Sequence, residues 1–347
     1  MAYTTINDPT DYFNTNLWTS SASELNVTGV GFQPDFVWLK SRSIGADHGL
    51  WDNVRGVQKL LASNQTDAES TTSGLTSFDS DGFTLGTANS NFNGAAGRTM
   101  VGWSWLASNT TASNTDGSIT STVSANTTSG FSIVTWTGNA TASQSVGHGL
   151  GAVPKVILTK NTDSGTQPWK CYFSEVGNAD YLQLNTTDVP ATSGVWDNTT
   201  PSSSLIYISN DTGINGSGNT ILAYCFAEKK AFSKFGSYTG NGNADGTFVY
   251  TGFKPAWVMT KESATTGSWN IFDNRRENPF NIVKGTLKAE ASNAEESNTN
   301  LQMDFVSNGF KLRGIGGDLN GNGTAMIYMA FAESPFTTST GVPTTAR

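Results

Sequence analysis

The chain has 347 residues, of which Gly, Ser, Thr and Asn make up about 44%, while charged residues make up only 14%. Aromatic residues nevertheless reach 11%, which excludes a disordered chain, because disordered segments are poor in aromatics and rich in charge. The net charge of -8 and the lack of any Lys/Arg-rich run argue against a nucleic-acid-binding surface, and no apolar stretch is long enough for a membrane span.

The first twenty residues carry neither the basic nor the apolar region of a signal peptide, so we expect synthesis in a cytoplasm without export by the Sec route. They include Tyr3, Tyr12 and Trp18, which predict that this stretch packs on the rest of the chain or on another chain. The two cysteines, Cys171 and Cys225, are too few for the disulfide framework of a secreted protein, and we expect two small buried side chains.

Three copies of one unit follow along the chain. Each copy opens with a turn residue, a proline and an apolar run that ends in a lysine six residues after the proline. A tryptophan comes next, and each copy closes 71, 72 or 76 residues after its proline on an apolar strand with an aromatic end. The opening motifs are Gly31–Lys40, Gly151–Lys160 and Gly252–Lys261, the tryptophans are Trp51, Trp169 and Trp269, and the closing strands are Gly97–Trp105, Gly218–Phe226 and Gly323–Phe331. Several anchors at nearly constant spacing indicate an internal repeat.

Within each copy, short runs of β-branched and aromatic residues alternate with Gly, Asn and Asp turns, a pattern typical of sandwiches and barrels. The proline stands just before a strand, where its missing N–H is tolerated. In the first of these strands, the two-residue alternation sends Phe36 and Trp38 to one face and Val37 and Leu39 to the other. Because both faces are apolar, we expect the strand to be covered on both sides, by a second sheet or by a neighbouring subunit.

We therefore predict an all-β chain of three tandem β-sandwich units, of jelly-roll or lectin-like type, joined by linkers. The Ser/Thr/Asn-rich stretch 107–130 is predicted to be a flexible or extended linker, and the short connection at 229–233 predicts that units two and three pack as a rigid pair. The predicted boundaries are 1–106 for the N-terminal segment with unit one, 107–130 for the linker, 131–230 for unit two, 231–336 for unit three and 337–347 for a C-terminal tail.

Catalytic chemistry has few candidates in this sequence. The two histidines, His48 and His148, fall in different units without Cys or His neighbours at metal-ligand spacing, and we interpret them as structural residues in turns. No Gly-x-Ser-x-Gly elbow is present. A pair of carboxylates would serve a glycosidase, and no spacing selects a pair, so we expect the chain not to be an enzyme. The loop acids nearest the repeat motifs are Asp35, Asp47, Asp52, Asp273 and Glu277.

Two loops resemble the start of a calcium-binding loop, in which oxygen-bearing side chains alternate before a glycine. In the first of them the twelfth position is Met329, where the calcium pattern needs a Glu. Asn, Asp and Gly also form ordinary turns. We expect no cofactor, and the first loop is the candidate for a structural calcium ion. The two loops are Asp318-x-Asn320-x-Asn322 and Asn241-x-Asn243-x-Asp245.

The candidate binding residues are tryptophans. Most aromatic residues recur at strand positions, where we expect them to form the core. Trp51, Trp169, Trp196 and Trp269 lie nearer turns, and two interpretations stay open for them. Exposed, they would stack on sugar rings or contact a partner protein; otherwise they pack inside.

Four stretches resemble virion proteins of marine tailed bacteriophages: Ala2–Pro9, Gly31–Arg42, Phe78–Gly86 and Val101–Trp105. Proteins of that kind are described as tail-fibre-like or structural, and they carry a domain of lectin-like β-sandwich appearance. The resemblance spans most of the chain and is weakest in the middle copy. It carries over no catalytic residues.

The resemblance implies a virion structural protein made in the host cytoplasm, and we expect a component of a tail fibre or similar appendage that adheres to the host surface. It also implies contacts with other virion proteins, assembly as a homo-oligomer with a trimer favoured, and a host-surface glycan as ligand. Repeated modules suit such adhesion because multivalency strengthens weak binding. Two alternatives stay open: a capsid decoration protein, and a carbohydrate-binding or glycan-hydrolysing protein.

Overall fold

A computed structural model describes residues 3–277 and 281–344 of the chain. The first two residues and the last three residues of the predicted C-terminal tail lie outside the described residues. Strands make up 42% of the structure and helices 3%, and every paired strand is antiparallel to its neighbours, which confirms the all-β prediction. Among the helices of the described residues, none has the length and apolar character needed to cross a membrane.

The first segment, residues 3–106, begins with a 3-10 helix at Pro9–Asp11. Its strands form a large sheet in the order β1-β9-β3-β4, a small sheet in the order β2-β8-β7, and the pair β5-β6. The strands are β1 (Phe13–Thr19), β2 (Leu25–Thr28), β3 (Phe36–Ser41), β4 (Gly49–Asp52), β5 (Lys59–Leu60), β6 (Ser70–Thr71), β7 (Leu75–Asp79), β8 (Gly82–Leu85) and β9 (Thr99–Trp105).

The middle segment, residues 107–230, forms a large sheet in the order β10-β11-β12-β19-β14-β15-β16-β17 and a small sheet from β13 and β18. One short helix, α1 (Thr212–Asn215), precedes the closing strand. The strands are β10 (Ala112–Asn114), β11 (Ser121–Asn126), β12 (Phe131–Thr137), β13 (Gln144–Gly147), β14 (Val156–Asn161), β15 (Lys170–Phe173), β16 (Asp180–Gln183), β17 (Ala191–Thr192), β18 (Leu205–Ile208) and β19 (Thr220–Phe226).

The third segment, residues 231–336, forms a large sheet in the order β20-β28-β22-β23-β24-β25 and a small sheet in the order β21-β27-β26. The helix α2 (Gly317–Asn320) again precedes the closing strand. The strands are β20 (Ser233–Thr239), β21 (Phe248–Tyr250), β22 (Phe253–Glu262), β23 (Trp269–Asp273), β24 (Gly285–Lys288), β25 (Glu296–Ser297), β26 (Met303–Val306), β27 (Gly309–Leu312) and β28 (Ala325–Pro335).

The three large sheets share one strand order. In each, the closing strand lies between the opening-motif strand (β3, β14 or β22) and an earlier strand of the same segment (β1, β12 or β20), so β9, β19 and β28 hold equivalent positions. The register agrees as well, because the closing aromatics pair with the second residues after the prolines. These pairs are Phe36 with Trp105, Val156 with Phe226, and Trp257 with Phe331.

The opening-motif strand is covered on both sides, as its sequence predicts. Val37 and Leu39 pack with Phe83 and Leu85 of the small sheet, so the first segment is a sandwich of two sheets. The equivalent sandwiches in the other segments have buried cores of their own. Phe36, on the opposite face of β3, packs into a cluster that contains residues of all three segments.

This cluster, which we call the central core, joins the segments into one body. Trp105, Phe226 and Phe331 meet there with ring centroids 5.6 to 6.4 Å apart, one aromatic from the end of each closing strand. Each large sheet therefore buries its inner face against the other two large sheets. The covering partners of each inner face are the other two segments, so the three predicted sandwich units pack directly on one another.

The stretch 107–130 is part of the middle sheet, which contradicts the linker prediction. It contains β10 and β11, and β11 pairs along its whole length with β12. Its start is fixed by the buried carboxylate of Asp35, which accepts hydrogen bonds from the backbone N–H groups of Ala107 and Asn109. Burial raises the pKa of Asp35 to about 6. A polar strand gains its stability from backbone pairing with an existing sheet, and composition does not report that gain.

Candidate functional site

The four tryptophans that are candidate binding residues are buried, each with 0 or 1% of its surface accessible. Trp51 packs edge-on against Phe92 at 4.9 Å, and Trp196 packs edge-on against Tyr172 at 5.9 Å, both inside sandwich cores. Trp169 and Trp269 lie in the central core. The interpretation as exposed stacking residues is therefore wrong, and packing is their role.

We call the contact between two segments a junction. Two of these tryptophans donate hydrogen bonds across a junction. The indole N–H of Trp169 donates to the carbonyl of Ala62 in the first segment at 2.8 Å. The indole N–H of Trp269 donates to the carbonyl of Gln183 in the middle segment at 3.0 Å. A buried N–H without a partner would destabilise the fold. Because each acceptor lies in another segment, these two hydrogen bonds also favour one docking geometry.

The equivalent residue in the first segment is His48, not Trp51. Strand pairing sets Trp51 opposite Val37, as it sets Phe272 opposite Val258, so Trp51 corresponds to Phe272. The buried His48 ring then takes the junction position, with Nε2 2.9 Å from the carbonyl of Lys288 in the third segment. Its Nδ1 accepts the indole N–H of Trp38 at 2.8 Å, so Nε2 carries the proton and the ring is neutral.

The lysines of the three opening motifs complete a closed ring of junctions. Each is fully buried, and each ammonium donates to a backbone carbonyl of the segment it faces. Burial lowers the pKa of Lys40 and of Lys160 to about 8 and lowers that of Lys261. The bonds run from Lys40 to Ser292 at 3.2 Å, from Lys160 to Thr66 at 2.7 Å, and from Lys261 to Thr187 at 3.2 Å. The first segment thus donates to the third, the third to the middle, and the middle to the first.

Buried ion pairs strengthen two of the three junctions. Asp52 binds Arg55 at 2.6 Å in the first segment and accepts the hydroxyl of Tyr224 from the middle segment at 2.8 Å. Burial, followed by the Asp52 carboxylate, raises the pKa of Tyr224 well above its ordinary value, so the hydroxyl stays a donor.

In the third segment Asp273 binds Arg276 at 2.6 Å and accepts the indole N–H of Trp103 from the first segment at 3.0 Å. The loop acids Asp52 and Asp273 are therefore structural ion-pair residues.

The remaining junction lacks the pair and its donor together. By strand register, Phe173 and Val176 of the middle segment stand where Asp52 and Arg55 stand in the first. Met329 of the third segment stands where Tyr224 stands in the middle, because each lies two residues before its closing aromatic. A thioether cannot donate to a carboxylate, and a buried carboxylate without donors is costly. The coordinated loss indicates that the carboxylate, its cation and the cross-junction donor act as one unit.

The calcium-like loops are held by a buried asparagine that recurs in every segment. The side-chain oxygen of Asn320 accepts the backbone N–H of Asn241 at 2.9 Å, and its amide N–H donates to the carbonyl of Asn243 at 2.8 Å. Asn93 and Asn215 make the same two kinds of bond in the other segments.

The oxygen of Asn320 is thus already used by the protein, whereas Asn322 is exposed. These side chains therefore do not assemble as a cation ligand set. Asp318 is partly buried beside them, and Asp245 pairs with Lys311 at 2.7 Å. Within residues 3–277 and 281–344, no group of three or more His, Cys, Asp or Glu side chains is placed to hold a metal ion.

The candidate ligand-binding site is a polar cleft of about 230 Å³ on the first segment, close to its junction with the third. The Asp47 carboxylate accepts the side-chain amides of Asn64 and Gln65 at 2.6 and 3.0 Å, which fixes one wall. Carboxylates and amides next to an apolar surface suit a ligand that carries many hydroxyl groups. The residues that line the cleft include Asp47, Gln65, Asp67, Asn89, Asn91 and Phe92.

Of the residues that line the cleft, sequence reasoning named Asp47 as one of several loop acids and His48 as a structural residue. Asn89 and Asn91 lie in an Asn-rich turn before Asn93, and Asp67 lies between β5 and β6. No motif connects these two stretches, because their proximity depends on how the loops pack over β4. The remaining loop acid, Glu277, accepts the backbone N–H of Lys284 at 2.8 Å.

Comparison with known proteins gives one match. The family described as "Domain of unknown function (DUF7483)" matches residues 8–335. No curated protein and no solved structure matches the chain.

The missing ion pair of one junction predicts a coupled mutational effect. Arg55→Val alone leaves the Asp52 carboxylate buried without its cation, and we expect a loss of about 3–5 kcal/mol in the free energy of unfolding. The triple variant Asp52→Phe/Arg55→Val/Tyr224→Met reproduces the residues of the junction that lacks the pair. We expect it to recover at least half of that loss, measured by urea denaturation. A triple variant less stable than Arg55→Val would contradict the coupling.

His48 predicts a specific pH dependence of stability. Burial, followed by the charge of Lys40, lowers the pKa of His48 from 6.5 to about 3 in the folded chain. Stability present above pH 6.5 is therefore lost as the pH falls towards 3, because the unfolded chain takes up a proton that the folded chain excludes. Between pH 7.5 and pH 5, we expect the free energy of unfolding of His48→Gln to fall by about 2 kcal/mol less than that of the wild type. Titratable groups that the wild type and the variant share cancel in this difference. Equal losses of stability in the two proteins would refute the lowered pKa of His48.

Proposed function

We propose that this chain, which belongs to the DUF7483 family, is a structural protein of a bacteriophage virion, as a component of a tail fibre or similar appendage that adheres to the host surface. The resemblance of its opening and closing motifs to such virion proteins is the sequence support. The structural observation that carries the proposal is the interlocked body, in which three sandwiches share one central core.

An appendage protein must keep its shape while its outer loops contact another surface. The central core and the buried junction bonds give this chain its rigidity at the centre, whereas the loops and the small sheets face outward. Loops on a rigid scaffold commonly carry recognition. We also propose assembly as a homo-oligomer, a trimer, with other virion proteins as partners, and light scattering on the purified chain measures that state.

The location of the protein on intact particles tests this proposal. Gold-labelled antibodies against the chain, viewed by electron microscopy on purified particles, are expected to mark the tail appendages. Mass spectrometry of the same particles is expected to detect the chain in fixed stoichiometry to the other components. Label on the head alone would favour capsid decoration instead, and particles without the chain would refute a virion role.

Carbohydrate binding is a second candidate function, favoured by the polar cleft of the first segment. Its carboxylate and amide side chains are the groups that bind sugar hydroxyls, and Phe92 supplies apolar surface. Such a site would let an adhesion protein recognise a host-surface glycan.

A glycan array with paired variants tests the cleft. Asp67 lines the cleft and is exposed, so Asp67→Asn removes a charge there without touching the core. We expect this variant to weaken binding to a recognised glycan about tenfold, which corresponds to about 1.4 kcal/mol. Asp188→Asn is the matched control, because Asp188 is an exposed carboxylate of the middle segment outside the cleft lining. Equal binding by both variants would exclude the cleft as the site.

A further inference from the structure

Strand β21 lies at the edge of its small sheet, with one side paired to β27 and the other side open. Thr247 accepts the backbone N–H of Leu312 at 3.1 Å, and the N–H of Thr251 donates to Asn308 at 3.0 Å. Backbone groups alternate in direction along an antiparallel strand. The N–H and C=O groups of Phe248 and Tyr250 therefore point away from the sheet.

The equivalent edge of the middle segment is covered by the chain itself. Val146 of β13 pairs with Ile206 as Val249 of β21 pairs with Phe310, so Ser145 and Gly147 correspond to Phe248 and Tyr250. The outward carbonyl of Ser145 accepts the N–H of Ile119 at 3.0 Å, and the carbonyl of Gly147 accepts the Ser121 hydroxyl at 2.7 Å. Residues 118–121 thus lie along β13, in a parallel bridge at Ile119 and Val146.

The first segment covers its edge with polar side chains. Asn16 of β1 donates its side-chain amide to the outward carbonyl of Thr28 at 3.2 Å, and Asn14 donates to Val30 at 3.1 Å. In the third segment Gly236 of β20 stands where Asn16 stands in β1, because it pairs with the equivalent residue of the closing strand. Glycine has no side chain to reach β21. Across the described part of the chain, the outward backbone groups of Phe248 and Tyr250 have no hydrogen-bond partner.

The side chains of this edge are also different from those of the other two. Phe248 and Tyr250 are 45% and 57% exposed, whereas the middle segment has Ser145 and Gly147 at these positions. An open strand edge with two exposed aromatic side chains is a surface on which another strand pairs readily. The geometry therefore favours an additional strand at β21.

Within residues 3–277 and 281–344, no stretch of the chain pairs with the outer side of β21. The covering strand of the middle segment comes from the long lead-in 107–120, which precedes β11. The third segment has only residues 227–232 between β19 and β20, and these are used in the turn in which Phe232 and Ser233 bond back to Lys229. No described stretch of the third segment is therefore placed along β21 as residues 118–121 are placed along β13.

We propose that β21 is a docking edge for an extended segment of a second polypeptide, which adds to the small sheet as residues 118–121 add to β13. The chemistry of the occupant follows from the covering strand present in this chain, which has small hydroxyl residues around one branched apolar residue, Ile119. Backbone pairing supplies the affinity, and the aromatic pair Phe248 and Tyr250 packs on the apolar side chains of the incoming strand. This proposal does not depend on a virion role.

A synthetic peptide of residues 113–123, which contains that covering strand, is the probe. We expect it to bind the full chain in isothermal titration calorimetry and to weaken about tenfold or more when its Ile119 is replaced by Asp. Tyr250→Pro removes an outward N–H that the sheet does not use, so the fold is kept while the edge is blocked. We expect this variant to lose peptide binding. Thr28→Pro, at the equivalent position of β2, is the matched control, and we expect it to bind the peptide like the wild type.

A second variant distinguishes loss of peptide binding from misfolding. Phe248→Ser/Tyr250→Gly installs the residues of the middle segment at this edge, and we expect it to bind the peptide at least tenfold more weakly at an unchanged unfolding midpoint. Absence of peptide binding to the wild-type chain, or equal binding by all variants, would overturn the proposal. Dimers that Tyr250→Pro dissolves, without peptide binding, would show that a different surface of a second copy covers β21 in place of a strand like residues 118–121, which overturns the proposal equally.

Discussion

Each large sheet of this protein has an apolar inner face that its own segment cannot cover. The small sheet of a segment covers only the outer face, where Val37 and Leu39 point in the first copy. The inner faces therefore have to meet, and they do so around Trp105, Phe226 and Phe331. Large aromatic rings fill the space between three sheets better than aliphatic side chains, since each buries more surface per residue. Removing one segment would expose the inner faces of the other two.

A core shared by three segments brings polar groups into the interior, and these groups set the docking geometry. The motif lysines, the indoles of Trp169 and Trp269 and the imidazole of His48 each end on a backbone carbonyl of a neighbouring segment. Carbonyls are fixed by the strands and loops that carry them, so each bond constrains position as well as satisfying a donor. Apolar contact alone would tolerate sliding between sheets. The directional ring of bonds explains why the three copies meet in one arrangement.

The sequence predicted the repeat, the two-sided coverage of Phe36–Leu39 and the all-β class, because spacing and two-residue alternation are local properties of the chain. It left open whether a second sheet or another subunit covers each face, and both inner and outer partners turned out to lie in the same chain. The exposed interpretation of the tryptophans failed because closeness to a turn in sequence does not measure depth. His48 was missed as the counterpart of Trp169 because strand register, not residue type, defines that position. Asn320, the buried asparagine of the third copy, is a calcium candidate in the sequence because side-chain oxygens that hold a turn and those that bind a cation alternate in the same way.

Comparison between the copies separates positions held by the fold from positions free to diverge. The closing aromatics, the motif lysines and the turn asparagines recur, since a change at any of them would disturb a junction or a buried turn. The outward residues of the small-sheet edges share no chemistry, being Asn26 and Thr28 in the first copy and Phe248 and Tyr250 in the third. The polar cleft also occupies a surface built by loops of one copy. Differences that the fold does not require are where contact with other molecules is expected to be encoded, and in this chain they lie on the outer rim while the centre stays alike.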